Sequence, residues 1–130
     1  MPQFSEKSQR QLETCDPRLI NLFSYVIKHI DCTILEGFRD KERQEELFRQ
    51  GKTQVHHPDS KHNAPYPSRA VDAVPYPIDW NDWNRMYMFI GYVLGVAKQM
   101  DIQLISGGDW DSDFILNDQK FFDLPHFQLI

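Results

Sequence analysis

Half of the chain's eight prolines fall between Pro65 and Pro77, and they limit what that stretch can become. Proline has no N–H to give a sheet and holds φ fixed, so a strand cannot run far between two such residues. Ala70 to Val74 therefore reads as a short β-type run ended by Pro75. Upstream, Thr53 to Ser68 is polar, proline-rich and histidine-bearing, which argues for a loop of more than a dozen residues. Loops of that length in compact domains are as a rule functional or disordered.

The flanking segments carry regular periodicities. Asp16-Pro17 reads as an N-cap with proline in the first turn, and Leu19, Ile20, Phe23, Val26, Ile27 and Ile30 then recur at helical spacing. Cys32 to Phe38 is β-prone, with Ile34 and Phe38 on one side and Gly37 marking a bend or a close approach. Asp40 caps a polar helix to about Gln50, with Leu47 and Phe48 turned inward and Gly51 at its end. A long helix is predicted from Asp82 to Met100, on a stripe of Trp83, Met86, Tyr87, Ile90, Leu94 and Ala97. Ile102 to Ser106 and His126 to Ile130 complete the set as strands. Without strict βαβ alternation, the expected class is α+β, with a small, mostly antiparallel sheet packed with helices. At 130 residues the chain is expected to form one domain, residues 1–130, with a sizeable core.

Composition excludes several functions. The net charge is −5 and no basic run occurs, so nucleic acid is not an expected partner. No stretch approaches the ~20 apolar residues of a membrane span, and the opening residues lack a secretory pattern, so synthesis in the cytoplasm is expected. Cys15 and Cys32 have no C-x-x-C spacing and are expected to be reduced and buried.

Asp72 stands in an otherwise apolar strand, and a buried carboxylate without a partner is very costly. His62 precedes it by ten residues, in Ser60-Lys61-His62, and Asp123 precedes His126 by three. Two imidazoles and one carboxylate are a standard ligand set for catalytic zinc, leaving a fourth position for water, and a further carboxylate can serve as general base. The same residues also read as a solvated loop histidine and a strand-edge histidine. His29, near a helix C-terminus, fits the helix dipole.

The segments Ser60-Lys61-His62, Ser68-Arg69-Ala70-Val71-Asp72 and Asp123-Leu124-Pro125-His126 resemble the S-x-H, G-x-A-x-D and E/D-x-x-H signatures of a known family. It is the D-alanyl-D-alanine carboxypeptidase and L-alanyl-D-glutamate endopeptidase family. Its members are zinc peptidases of bacterial and phage origin that cut peptidoglycan stem peptides and share a fold with the hedgehog signalling domain. Glu36-Gly37-Phe38-Arg39, followed by a helix with Gln44, and Gly107-Gly108-Asp109-Trp110 are similar to two further elements of that family.

The resemblance implies zinc ligands at His62, Asp72 and His126, a general base at Asp123, and Arg39 on the substrate carbonyl or oxyanion. The alternative for Arg39 is a surface salt bridge with Glu36 or Glu42. Ser60 would bond the substrate or a ligand, or else cap its own loop. His57 is a competing ligand. Tyr66, Tyr76, Trp80, Trp83 and Trp110 are expected around the cleft, with Trp83 in the core and Tyr66 and Trp110 against substrate. Family members commonly hold the first histidine and the aspartate closer together. Here Asn63 to Pro67 loop out, at little cost in closure entropy. Ser68 replaces a glycine, which a turn tolerates if φ stays negative.

The implied activity is that of a monomeric endolysin, a zinc endopeptidase cutting the L-alanyl-D-glutamate bond after release into the periplasm, with no wall-binding module appended. D-alanyl-D-alanine carboxypeptidase or dipeptidase activity, or a non-catalytic zinc-stabilised binding module, are the alternatives.

Overall fold

The computed structural model describes residues 2–63 and 65–130; Met1, and Ala64 within the expected loop-out, lie outside the described residues. The elements run α1 (Glu6–Leu12), α2 (Pro17–Val26), β1 (Cys32–Glu36), α3 (Lys41–Arg49), β2 (Ala70–Pro75), α4 (Trp83–Gln99), β3 (Leu104–Ser106) and β4 (His126–Leu129). The strands form one sheet in the order β1-β2-β4-β3, with every neighbouring pair antiparallel. The chain is thus a small α+β domain, as its patterning predicts.

Local chemistry explains most of the boundaries. The Asp16, Asp40 and Asp82 side chains each accept a backbone N–H at the start of α2, α3 and α4. Helix α2 stops four residues short of Ile30, and looser turns carry the chain on to β1. β1 ends at Glu36 rather than Phe38. Its next two N–H groups are taken by side chains near α1, Gly37 donating to Gln11 Oε1 and Phe38 to Thr14 Oγ1.

Helix α1 has no counterpart in the hydrophobic pattern, since only Ser8 and Leu12 of its seven residues are buried. Ser8 Oγ accepts the Ile34 N–H and so fixes β1 laterally.

The core lies between the sheet and helices α2 and α4, where Phe127 meets the Phe23 and Phe89 rings edge-on. Met86, Ile90 and Ala97 of α4 are buried as expected, but Phe89 and Val93 join them. Trp83 is 46% exposed and packs on Phe122 and Tyr87 instead of entering the core. Phe48 likewise stays at the surface edge, stacked on His56.

Side chains alternate across a strand, so Phe127 and Leu129 enter the core while His126 and Gln128 face the other way. Asp72 lies directly opposite His126 in the β2–β4 register and opposite Glu36 in the β1–β2 register. One sheet face is hydrophobic core, and the other gathers Glu36, Asp72, His126 and Gln128.

Candidate metal centre and cleft

Three donor atoms meet on that second face. His62 Nε2 is 3.1 Å from Asp72 Oδ1 and 3.3 Å from His126 Nδ1, and His126 Nδ1 is 3.4 Å from the same carboxylate oxygen. β2 and β4 supply Asp72 and His126, and the loop before β2 supplies His62. Among the described residues, no other histidine joins this group, so His57 is not brought to it. The His57 N–H instead donates to Glu45, and His56 Nδ1 faces the same carboxylate.

The outer nitrogen of each ring has its own acceptor. His62 Nδ1 lies 2.7 Å from the Gly37 carbonyl, and His126 Nε2 lies 2.8 Å from Gln128 Oε1. Donation to these oxygens turns the other nitrogen of each ring, lone pair first, toward Asp72. Two bare nitrogens and a carboxylate oxygen this close need a shared positive charge, either protons on the rings or a cation among them.

A proton on either ring nitrogen would bond the Asp72 carboxylate. Burial pushes the Asp72 carboxyl up, but the His62 charge and hydrogen bonds from both rings outweigh it and hold the carboxyl well below its ordinary value. Burial pulls His126 down, yet its bond to Asp72 and that residue's charge leave the ring raised.

A cation fits the same place. A tetrahedral ion about 2.0–2.1 Å from its nitrogen and oxygen ligands sets those ligands roughly 3.3 Å apart, the spacing found here.

Arg39 is 8% exposed and clamps the far side of the carboxylate. Its guanidinium donates to Asp72 Oδ2 at 3.1 Å, Glu36 Oε1 at 2.6 Å and Gln44 Oε1 at 3.3 Å. The partner is Glu36, not Glu42, and the ion pair is buried rather than superficial. Among the described residues, three of the five guanidinium N–H groups are thus engaged and two are left over.

Gln44 is fully buried and joins this network to the loop, accepting from Asn63 Nδ2 and donating to the Val55 carbonyl. The Asn63 amide also donates to the Arg39 carbonyl. Asn63 and Gln128 thus brace the centre in ways that motif spacing does not disclose. The sequence signal for Gln128 is its i+2 position from His126 on one strand face.

Asp123 stands beside the triad, with Oδ2 3.9 Å from His126 Nδ1. Burial, reinforced by the Asp72 charge, raises its carboxyl above the ordinary value. Gly107 sets its position. The Gly107 N–H donates to the His126 carbonyl and its own carbonyl accepts from Asp123, and a Cβ there would sit 2.1 Å from the Asp123 oxygen.

The triad opens on a cleft of about 440 Å³, lined among others by Arg39, Ser60, Lys61, Trp110 and Asp123. Ser60 Oγ accepts the His62 N–H and so caps its own loop from the cleft wall. Trp110 is fixed by its ring N–H on the Phe121 carbonyl and leans over His126, with ring centroids 5.3 Å apart.

The other aromatic residues do not assemble there. Tyr66, Tyr76, Trp80 and Trp83 are exposed and line no part of this cleft, and Tyr66 packs on Phe38. Their neighbours in sequence are polar, but the chain leads them to other faces. Ser68 stays outside the left-handed region, and its side chain bonds the Ala70 carbonyl.

Two histidines and an aspartate that could hold a metal ion, with a second aspartate at the edge of an open cleft, are a constellation that suits a metal-dependent hydrolase. The family model for phage L-alanyl-D-glutamate peptidase matches residues 1–130, and the chain belongs to that family. A solved structure of the Serratia marcescens L-Ala D-Glu endopeptidase ChiX superposes with a TM-score of 0.75 at 26% identity, over 98% of this chain and 89% of that one. No curated protein matches the sequence. The protein is therefore a peptidase of the phage type that acts on peptidoglycan.

Proposed function

We propose that the protein is a zinc endopeptidase that hydrolyses the amide between L-alanine and D-glutamate in peptidoglycan stem peptides, acting on the wall after release into the periplasm. The observation that carries the metal reading is the triad of His62, Asp72 and His126, whose donor atoms stand 3.1–3.4 Å apart while both outer ring nitrogens are bonded elsewhere. These three residues would hold the ion. Zinc bound there supplies Lewis-acid chemistry, acidifying water and polarising a carbonyl.

The chain's own groups do the rest. Asp123 takes the proton of the attacking water and returns it to the leaving amine, a role suited to a carboxylate whose basicity burial has raised. Arg39 holds the Asp72 carboxylate in orientation, and its two remaining N–H groups are available to the carbonyl oxygen as charge develops. Trp110 offers an apolar wall to the peptide.

The test is digestion of purified peptidoglycan with and without a chelator, with the fragments identified by mass spectrometry. Chelator-sensitive appearance of new L-alanine carboxyl ends and D-glutamate amino ends is the expected result. Release of D-alanine would select the carboxypeptidase activity. Asp123→Asn should lower kcat by at least about 100-fold while zinc remains bound. Full turnover in that variant would remove Asp123 from the mechanism.

A further inference from the structure

A glutamyl residue has two carboxyl groups, and a stem peptide continues through only one of them. If the bond cut is the one proposed above, on which this inference rests, a second carboxyl group enters the cleft on the amine side of the scissile bond. Unless it is amidated it carries a full negative charge a few bonds from the attacked carbonyl.

Even with a divalent cation held by the triad, the centre has no positive charge left over for such a group. Asp72 and Asp123 are both there, the whole chain carries −5, and the Arg39 charge is already shared between Glu36 and Asp72. Two other cations line the cleft, Lys52 and Lys61. The ion pairs of the described residues all use arginine or histidine, so neither lysine has a carboxylate oxygen within 4.0 Å.

Lys61 is the better placed of the two. It is half-buried between Ser60 and His62, and its carbonyl accepts the Arg69 N–H at 3.1 Å. The neighbouring His62 ring is locked by Gly37, and the Asn63 N–H closes the turn on Ser60. The backbone under Lys61 is thus fixed to the metal centre while its ammonium has no counter-ion. A lysine stem on a rigid support loses less freedom when an anion arrives. Lys52, exposed at the end of α3, adds charge at the rim.

We infer that Lys61, supported by Lys52, binds the free carboxylate of the residue on the amine side of the cleaved bond, so that the enzyme distinguishes glutamyl from glutaminyl stems.

The test uses the zinc-loaded full chain and two matched peptides, L-alanyl-D-glutamyl-L-lysine joined onward through the side-chain carboxyl, with the α-carboxyl either free or a primary amide. Mass spectrometry first identifies the bond cut. The wild type is expected to favour the free acid by about tenfold in kcat/KM, mostly through KM, since one such charge-assisted contact is of that order. In Lys61→Gln that ratio should fall to near one, in Lys61→Arg it should persist, and in Lys52→Gln it should fall only in part. Circular dichroism establishes that each variant is folded.

Equal rates on the two peptides by the wild type, or an unchanged preference in Lys61→Gln, would overturn the assignment while leaving the endopeptidase reading intact. Cleavage at a different bond would overturn both.

Discussion

Cys15 and Cys32 are free thiols within the core, and burial pushes each of them up to about 12. In the unfolded chain a thiol ionises near its ordinary pKa of about 8.5. Because the folded value is the higher one, their contribution to stability is complete below that ordinary value. It is lost as pH rises toward the folded value, at up to about 1.4 kcal/mol per pH unit for each thiol. The melting temperature should therefore fall between pH 8.5 and 10.5 more steeply in the wild type than in a Cys15→Ala, Cys32→Ala variant. Parallel slopes would mean that the thiols ionise freely in the folded protein. Asp72 obeys the same rule with the opposite outcome: its burial is outweighed by the His62 charge and the hydrogen bonds of both rings, which hold its carboxyl well below the ordinary value.

At the scale of elements, the site depends on how strand ends are finished. Gly37 and Gly107 sit where the backbone of one segment passes within bonding distance of another, and a Cβ at either would collide with backbone oxygen, of Gln11 or of Asp123. Gly107→Ala should displace Asp123, lowering kcat by about 100-fold or more while zinc binding changes little, because Asp123 is not one of the three donors. Zinc titration followed by peptide hydrolysis would separate the two effects, and full activity would show that the corner yields without cost.

Much of this level is legible in the sequence. The aspartate caps, the proline-bounded strand and the α2 and α4 periodicities are local properties of the residues that carry them. Helix α1 was not legible, because it is held by polar contacts from Ser8, Gln11 and Thr14 to β1 and the turn after it rather than by an apolar stripe. That His62, Asp72 and His126 meet was legible through motif order. The bracing by Asn63 and Gln128 was not, since it depends on which group lies opposite each side chain. The exposed aromatic residues misled for the same reason, as nearness in sequence to a cleft residue does not fix the direction of a side chain.

On the scale of the whole molecule, an ion held by His62, Asp72 and His126 would tie together a loop and two strands. Ligand bound only to the folded state at 100 times its Kd stabilises by about 2.7 kcal/mol, which for a chain of this size corresponds to a rise of roughly 10 °C in Tm. Chelation should lower Tm by about that amount in the wild type and leave His126→Ala unmoved. Equal shifts in both would place the stabilising ion elsewhere.

The pairing of Asp72 with His126 across β2 and β4 is a matter of register. A slip of one residue would turn His126 into the apolar layer and bring Phe127 out among the polar groups. Such a sheet would hold no ion and cut no peptide. Specific activity per mole of chain is therefore also a count of correctly aligned sheets, and a preparation that is fully soluble but poorly active would be reporting an error of alignment rather than of chemistry.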